Sequence, residues 1–303
     1  MKTKCKLIIL AACRLIGGAG SAGAVLLIAA IAPAQNLFVS NQSPGGPIYE
    51  FTPDGVRSDF VLGLPVTLGL AFDRTGNLFV GVQNSGLGRI YKETPSRQES
   101  EFASGLFDPW GLAFDSAGKL FEGDANGLIN EFTTTGIRTT FAGGLSHYSH
   151  ALAFNNAGIL FVADQNSGNI YEFTPAATRS TFASGLNEPT GLAFDSAGNL
   201  FETDSGSGNI YEFTPDGTRS TFASGLNNPD ALAFNSAGVL FEADLGSGNI
   251  YEFTPDGVQS TFASGLPAPA GLAFQGVNLP IPEPSVLGLL AVAATTLLVR
   301  RRQ

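Results

Sequence analysis

The residues able to do chemistry are few, and they share one kind of position. The chain has two histidines, His147 and His150, and a single tryptophan, Trp110. Both histidines fall in Ser146-His-Tyr148-Ser-His150, directly ahead of the apolar run Ala151-Leu-Ala-Phe154. Trp110 and Asp230 stand immediately before the equivalent runs Gly111–Phe114 and Ala231–Phe234, and Leu68, Thr190 and Ala270 before three more. Neutral imidazole is a general base and a metal ligand. Trp110, His147, Tyr148 and His150 can together stack a sugar ring or another flat ligand. They can equally be loop residues filling a mouth, with Trp110 as a plug. Asp230 is the one carboxylate among the six positions. A hard cation such as calcium takes 6–8 oxygens, so Asp230 alone is thin support for one; a divalent cation such as calcium stays open as the alternative, with Asp230 its candidate ligand. His150 and Asp230 are the candidate catalytic pair if there is one.

These six positions are equivalent because the chain repeats. The phrase Gly/Ala-Leu-Ala-Phe begins at Gly69, Gly111, Ala151, Gly191, Ala231 and Gly271, in steps of 42, 40, 40, 40 and 40. Residues 191–226 show the unit. Gly191–Phe194, Leu200–Asp204, Ile210–Phe213 and Ser220–Ala223 are short apolar runs. They are separated by Asp195-Ser-Ala-Gly198, Ser205-Gly-Ser-Gly208 and Pro215-Asp-Gly217, which are turn chemistry. Four short strands with tight turns make an antiparallel meander. A period of 40–45 residues is that of propeller blades, and radial closure covers both faces of each sheet. The predicted fold is an all-β, six-bladed β-propeller over residues 35–276. The array begins at a second strand, Asn36–Val39, and ends after a first strand, Gly271–Phe274. Pairing those two segments completes the first blade and removes a cut edge. The six variable positions then form a ring at one mouth of the central channel.

Other recurring residues read as architecture. Asp124, Asp164, Asp204 and Asp244 close the second strand and are turn-makers. Glu50, Glu131, Glu172, Glu212 and Glu252 recur in the third strand as a solvated or edge position. No Gly-x-Ser-x-Gly elbow, phosphate loop or zinc spacing is present.

The pattern Pro-x-Gly-Leu-Ala-Phe-Asp-x-x-Gly-Asn-Leu-Phe-x-x-Asp, here Pro189 to Asp204, resembles the NHL-repeat and regucalcin/gluconolactonase-like propellers, and also the streptogramin lyases. The resemblance implies a mouth whose ring supplies carboxylate and amide ligands to a divalent metal in the lactonases, or a histidine in the lyases. This chain departs from the lactonase ring at Leu68, Trp110, Thr190 and Ala270.

The ends read as address labels. Lys2, Lys4 and Lys6 precede an apolar stretch running to Ile31, and Ala32-Pro-Ala34 before Gln35 matches a signal-peptidase site. Leu10-Ala-Ala-Cys13 offers a competing lipoprotein box. At the other end Pro282-Glu283-Pro284 is followed by the uncharged Ser285–Val299 and by Arg300, Arg301 and Arg302. This triad resembles the PEP-CTERM sorting signal of Gram-negative bacteria. It implies an exosortase-type partner, an inner-membrane stay before processing, and a tie to exopolysaccharide-producing cells. The expected organisation is therefore a signal peptide at 1–34, the propeller at 35–276, and a linker with a sorting and transmembrane segment at 277–303, the two flanks helical.

Charge agrees with export and argues against nucleic acid. Seven of the sixteen basic residues lie at the extreme ends, leaving nine against all twenty-six acids in residues 35–284. Nucleic-acid binding needs Lys and Arg on phosphate. The expected role is a surface- or matrix-sorted binding or structural module for a polysaccharide or protein partner. The alternative is a metal-dependent lactonase or a lyase at the ring.

Overall fold

The computed structural model describes residues 34–84 and 87–276. They form six four-stranded antiparallel sheets arranged as a wheel. Blade 2 consists of Val66–Phe72, Leu78–Gln83, Gly88–Glu93 and Glu99–Leu106. Blades 3 to 6 repeat this order, opening with the inner strands Pro109–Phe114, Ser149–Phe154, Pro189–Phe194 and Pro229–Phe234. Blade 1 is composite. Its inner strand is Pro269–Phe274, hydrogen-bonded to Leu37–Asn41, which continues to Ile48–Phe51 and Arg57–Val61. The register places Leu37 opposite Phe274 and Val39 opposite Leu272. The ring is thus closed by the pairing expected from the sequence.

The chain enters and leaves at one corner. Gln275 N donates to Asn36 O at 3.1 Å, and Gln35 Nε2 donates to Gln275 O at 3.1 Å. The expected flanking helices, the signal site at Ala32 and the sorting motif Pro282, Glu283, Pro284 and Arg300–Arg302 lie outside the described residues. Ala34 and Gln35 are described and carry no helix. Among the described residues the helical structure is one 3-10 turn, Gln165–Ser167, and no helix is long and apolar enough to cross a membrane.

What holds the blades together follows from strands buried on both faces. In blade 5, Leu200 packs toward blade 4 with Phe161 and Ile170, and the adjacent Phe201 packs toward blade 6 with Leu232 and Leu240. Every junction repeats one aromatic joint. The second-strand phenylalanine of each blade meets the inner-strand phenylalanine of the next edge-on: Phe38 with Phe72 and Phe161 with Phe194 at 5.0 Å, and Phe241 with Phe274 at 5.0 Å across the closure. Such pairs add roughly 0.5–1.5 kcal/mol each beyond their burial.

The inner strands crowd at the hub. A Cβ on Gly69 would lie 2.2 Å from Trp110 O, and one on Gly271 2.4 Å from Leu68 O. The obstacle is neighbouring backbone and cannot rotate away. Gly69→Ala should therefore destabilise the protein by about 3 kcal/mol, the upper range of overpacking costs. Thermal melts of this variant beside the exposed-turn control Ser116→Ala provide the check; an unchanged midpoint for Gly69→Ala would show that the hub is looser than described.

The turns use their expected chemistry. Asp124 accepts from the N–H groups of Asn126 and Leu128, and Asp204 from those of Asn187 and Ser207. The third-strand glutamates are half-buried rather than fully solvated, and two of them form ion pairs, Glu50 with Arg97 and Glu131 with Lys119.

Candidate functional site

Leu68, Trp110, His150, Thr190, Asp230 and Ala270 line one chamber at the hub, where the inner strands begin. Its volume is about 110 Å³. Six leucines, one per blade, form its floor: Leu70, Leu112, Leu152, Leu192, Leu232 and Leu272. This girdle narrows the channel beneath the polar ring.

Within the ring the polar groups gather on one side. His150 Nε2 lies 3.7 Å from Asp230 Oδ1, and both side chains are about one-tenth exposed. That separation is longer than a hydrogen bond. Neither ring nitrogen of His150 is hydrogen-bonded among the described residues, while Asp230 Oδ2 accepts from Gln42 Nε2 at 3.3 Å. Burial pushes the His150 pKa down, and the neighbouring carboxylate opposes this only in part. Burial likewise pushes Asp230 up, with His150 opposing. The imidazole is thus held toward its neutral form, the form that accepts a proton or a hydrogen bond.

Trp110 stacks on His150, with ring centroids 4.4 Å apart and planes 28° apart, and meets Tyr148 edge-on at 6.3 Å. Its indole Nε1 is buried with no hydrogen-bond partner among the described residues. Tyr148 is 40% exposed, and His147 points to the surface without joining the cluster. The extra residue in this loop explains the difference. Asp108, Glu188 and Asn228, each two before its ring residue, hold a left-handed backbone, as does Tyr148, but here His147 is left-handed too. Two consecutive non-glycine residues in that region are uncommon, and strain of this sort concentrates at binding loops.

The remaining ring members are committed elsewhere. Thr190 Oγ1 bonds to Thr203 Oγ1 at 2.9 Å and to Pro229 O at 3.0 Å. Leu68 and Ala270 are buried. Among the described residues no three His, Cys, Asp or Glu side chains converge on a point where a metal ion would sit. One carboxylate, already bonded to Gln42, does not meet the requirement of a hard cation. A lactonase-type divalent metal therefore does not fit this ring.

Residues that sequence reasoning passed over are Gln42, which joins Asp230 from blade 1, and three buried glutamates. Glu122, Glu202 and Glu242 are each 0% exposed and sit at the same place in the second strands of blades 3, 5 and 6. Val39, Val80 and Val162 hold that place in the other blades. Both carboxyl oxygens of Glu202 and of Glu242 lack a partner among the described residues. The readable signal was the Leu-Phe-Glu alternating with Leu-Phe-Val at one position of the repeat.

No protein-family profile matches the chain, and no curated protein matches it in sequence. Solved structures do match in shape. The chain is similar to a catalytically inactive histidine-to-alanine variant of virginiamycin B lyase from Staphylococcus aureus, solved with quinupristin. The TM-score is 0.61 at 15% identity, over 80% of this chain and 93% of that one. A structural-genomics target named a putative gluconolactonase matches with TM-score 0.62 at 14% identity, over 77% of this chain and 89% of that one. An auxiliary nutrient binding protein from Bacteroides thetaiotaomicron matches with TM-score 0.60 at 15% identity, over 69% and 63%. The chain is a six-bladed β-propeller. Its structural neighbours are of the gluconolactonase and virginiamycin B lyase type, and the propeller fold is what they share with it.

Proposed function

We propose that this propeller is an exported, surface- or matrix-sorted binding module whose polar mouth takes part of an exopolysaccharide or of a protein partner. The observation that carries the reading is the mouth itself: an aromatic wall of Trp110 and exposed Tyr148 beside unspent hydrogen-bonding capacity on His150 and Asp230. Aromatic faces stack on sugar rings while a few convergent polar groups fix orientation. A chamber of about 110 Å³ admits one substituent and leaves the rest of a ligand on the face outside. Among neighbours of the same fold, one is a nutrient binding protein. Export and sorting rest on the terminal motifs alone.

The second reading is a lyase, and one observation favours it. A buried imidazole held toward neutrality with a carboxylate 3.7 Å away is a proton acceptor with a group to stabilise its cation. The lyase neighbour is inactive when a histidine becomes alanine.

A glycan array on the full chain, followed by turnover assays with lactones and cyclic depsipeptides, separates the two. Binding that falls at least tenfold in both Trp110→Ala and Asp230→Ala, with no turnover, is the expected result. Turnover abolished by His150→Ala replaces the binding reading with the lyase one.

A further inference from the structure

The opposite mouth of the channel holds the larger space. Beneath the leucine girdle the hub opens into a cavity of about 780 Å³. That lies within the roughly 300–1,000 Å³ typical of small-molecule sites. Its wall is a ring of six phenylalanines, Phe72, Phe114, Phe154, Phe194, Phe234 and Phe274. Each is already fixed edge-on against the preceding blade, with Phe121–Phe154 and Phe201–Phe234 at 5.0 and 5.1 Å. The wall is therefore preformed, and a ligand would not have to order it. Leu112, Leu152, Leu192 and Leu232 line both this cavity and the polar chamber, so the girdle is the inner end of each.

Polar groups are confined to the rim. Asp195 is the one ionisable residue of the lining, and its carboxylate is spent on the N–H groups of Ala197 and Asn199 and on the Asn199 amide. Asn156 is exposed at the rim, and its side chain makes no hydrogen bond among the described residues. The chain's net charge of −10 and the rim carboxylate of Asp195 disfavour an anionic headgroup.

We propose that this vestibule is a second binding site, for an uncharged and largely apolar small molecule whose polar group stays at the rim beside Asn156. It is separate from the His150–Asp230 mouth and does not depend on what binds there. Apolar burial supplies the affinity, and the Asn156 amide at the rim supplies orientation.

The test is a fluorescence titration of the full chain with 1-aminoanthracene, uncharged at neutral pH. Asn156→Trp and Ser196→Trp place an indole across the opening from exposed turn positions. The turn hydrogen bonds come from Asn155 and Asp195, which these variants keep. Wild type should show a saturable phase of one dye per chain. That phase should weaken at least tenfold in Asn156→Trp/Ser196→Trp and stay unchanged in Asp230→Ala. A milder variant, Asn156→Ala, should weaken it severalfold with an unaltered thermal melt. The anionic dye 1-anilinonaphthalene-8-sulfonate should not displace 1-aminoanthracene. No saturable phase, or one indifferent to both tryptophans, overturns the proposal and places the dye elsewhere on the chain.

Discussion

A chain ended before Pro269 should lose cooperative unfolding. The truncation removes the inner strand of blade 1 and with it the strand ladder that closes the ring. Leu272 and Phe274 leave a cluster in which they pack on Leu37, Val39, Phe241 and Ile250. Burying each of two such side chains contributes about 1.5–3 kcal/mol. Their former partners would be exposed as well, and two blade faces would meet water. The two side chains alone amount to about 3–6 kcal/mol, a large share of the 5–15 kcal/mol that holds a whole domain together. The expected signature is a broad, non-sigmoidal denaturant curve by circular dichroism. Leu272→Ala keeps the strand and should cost about 2–5 kcal/mol with a sharp transition preserved. If the truncated chain melts with the parent midpoint and slope, closure contributes nothing and the remaining five blades support themselves.

Replacing Glu202 and Glu242 by valine should stabilise the protein. Each is fully buried with both carboxyl oxygens unpaired among the described residues, and valine, of similar volume, already fills that place at Val39, Val80 and Val162. An unsatisfied buried polar group costs about 1–3 kcal/mol. At this domain size 1 kcal/mol moves the melting point by about 2–4 °C, so the double variant should melt several degrees higher. The same groups set a pH dependence. Burial pushes Glu122 from its ordinary 4.5 up to about 8, against the pull of the Asn130 hydrogen bond. Burial also pushes Glu202 and Glu242 well up, with Asp204 beside the first and Asp244 and Asp230 beside the second adding to the effect. Arg138 and Arg219 pull Glu122 and Glu202 the other way. A carboxyl raised in the folded state contributes stability that is complete below its unfolded value and is lost as pH rises through its folded one. For Glu122 the window runs from 4.5 to about 8, at about 1.4 kcal/mol per pH unit. Melting points between pH 4.5 and 8 should therefore fall as pH rises, less steeply in Glu122→Val and least in the triple variant. Equal slopes in parent and variants would mean that these carboxyls find water or partners and ionise freely.

The blade count, the closure and the ring of variable positions were legible because all three are properties of a period. Gly/Ala-Leu-Ala-Phe marks the inner strand in every copy, so the residue before it must recur at the hub. Distances across the hub are not periodic. That His150 reaches Asp230 over the intervening blade depends on channel width, and so does the approach of Gln42. The buried glutamates escaped for a different reason. In Leu200-Phe-Glu202 an alternating strand suggests one dry face and one wet face, but between two blades both faces are dry, so the polar position is buried with the rest. The third-strand glutamates, expected at a solvated or edge position, are neither fully solvated nor at an edge. They are half-covered because their strand is interior to its sheet.

Gln35 and Gln275 meet beside the phenylalanine vestibule, on the side of the disc opposite the His150–Asp230 mouth. Any tether attached through residues before 34 or after 276 therefore grips the wheel from its greasy side. For such a tether the polar hub would lie on the far side of the disc and the apolar hollow on the side of attachment. A molecule entering one hub opening and a molecule entering the other would meet the same four leucines, Leu112, Leu152, Leu192 and Leu232, from opposite directions, without competing for space.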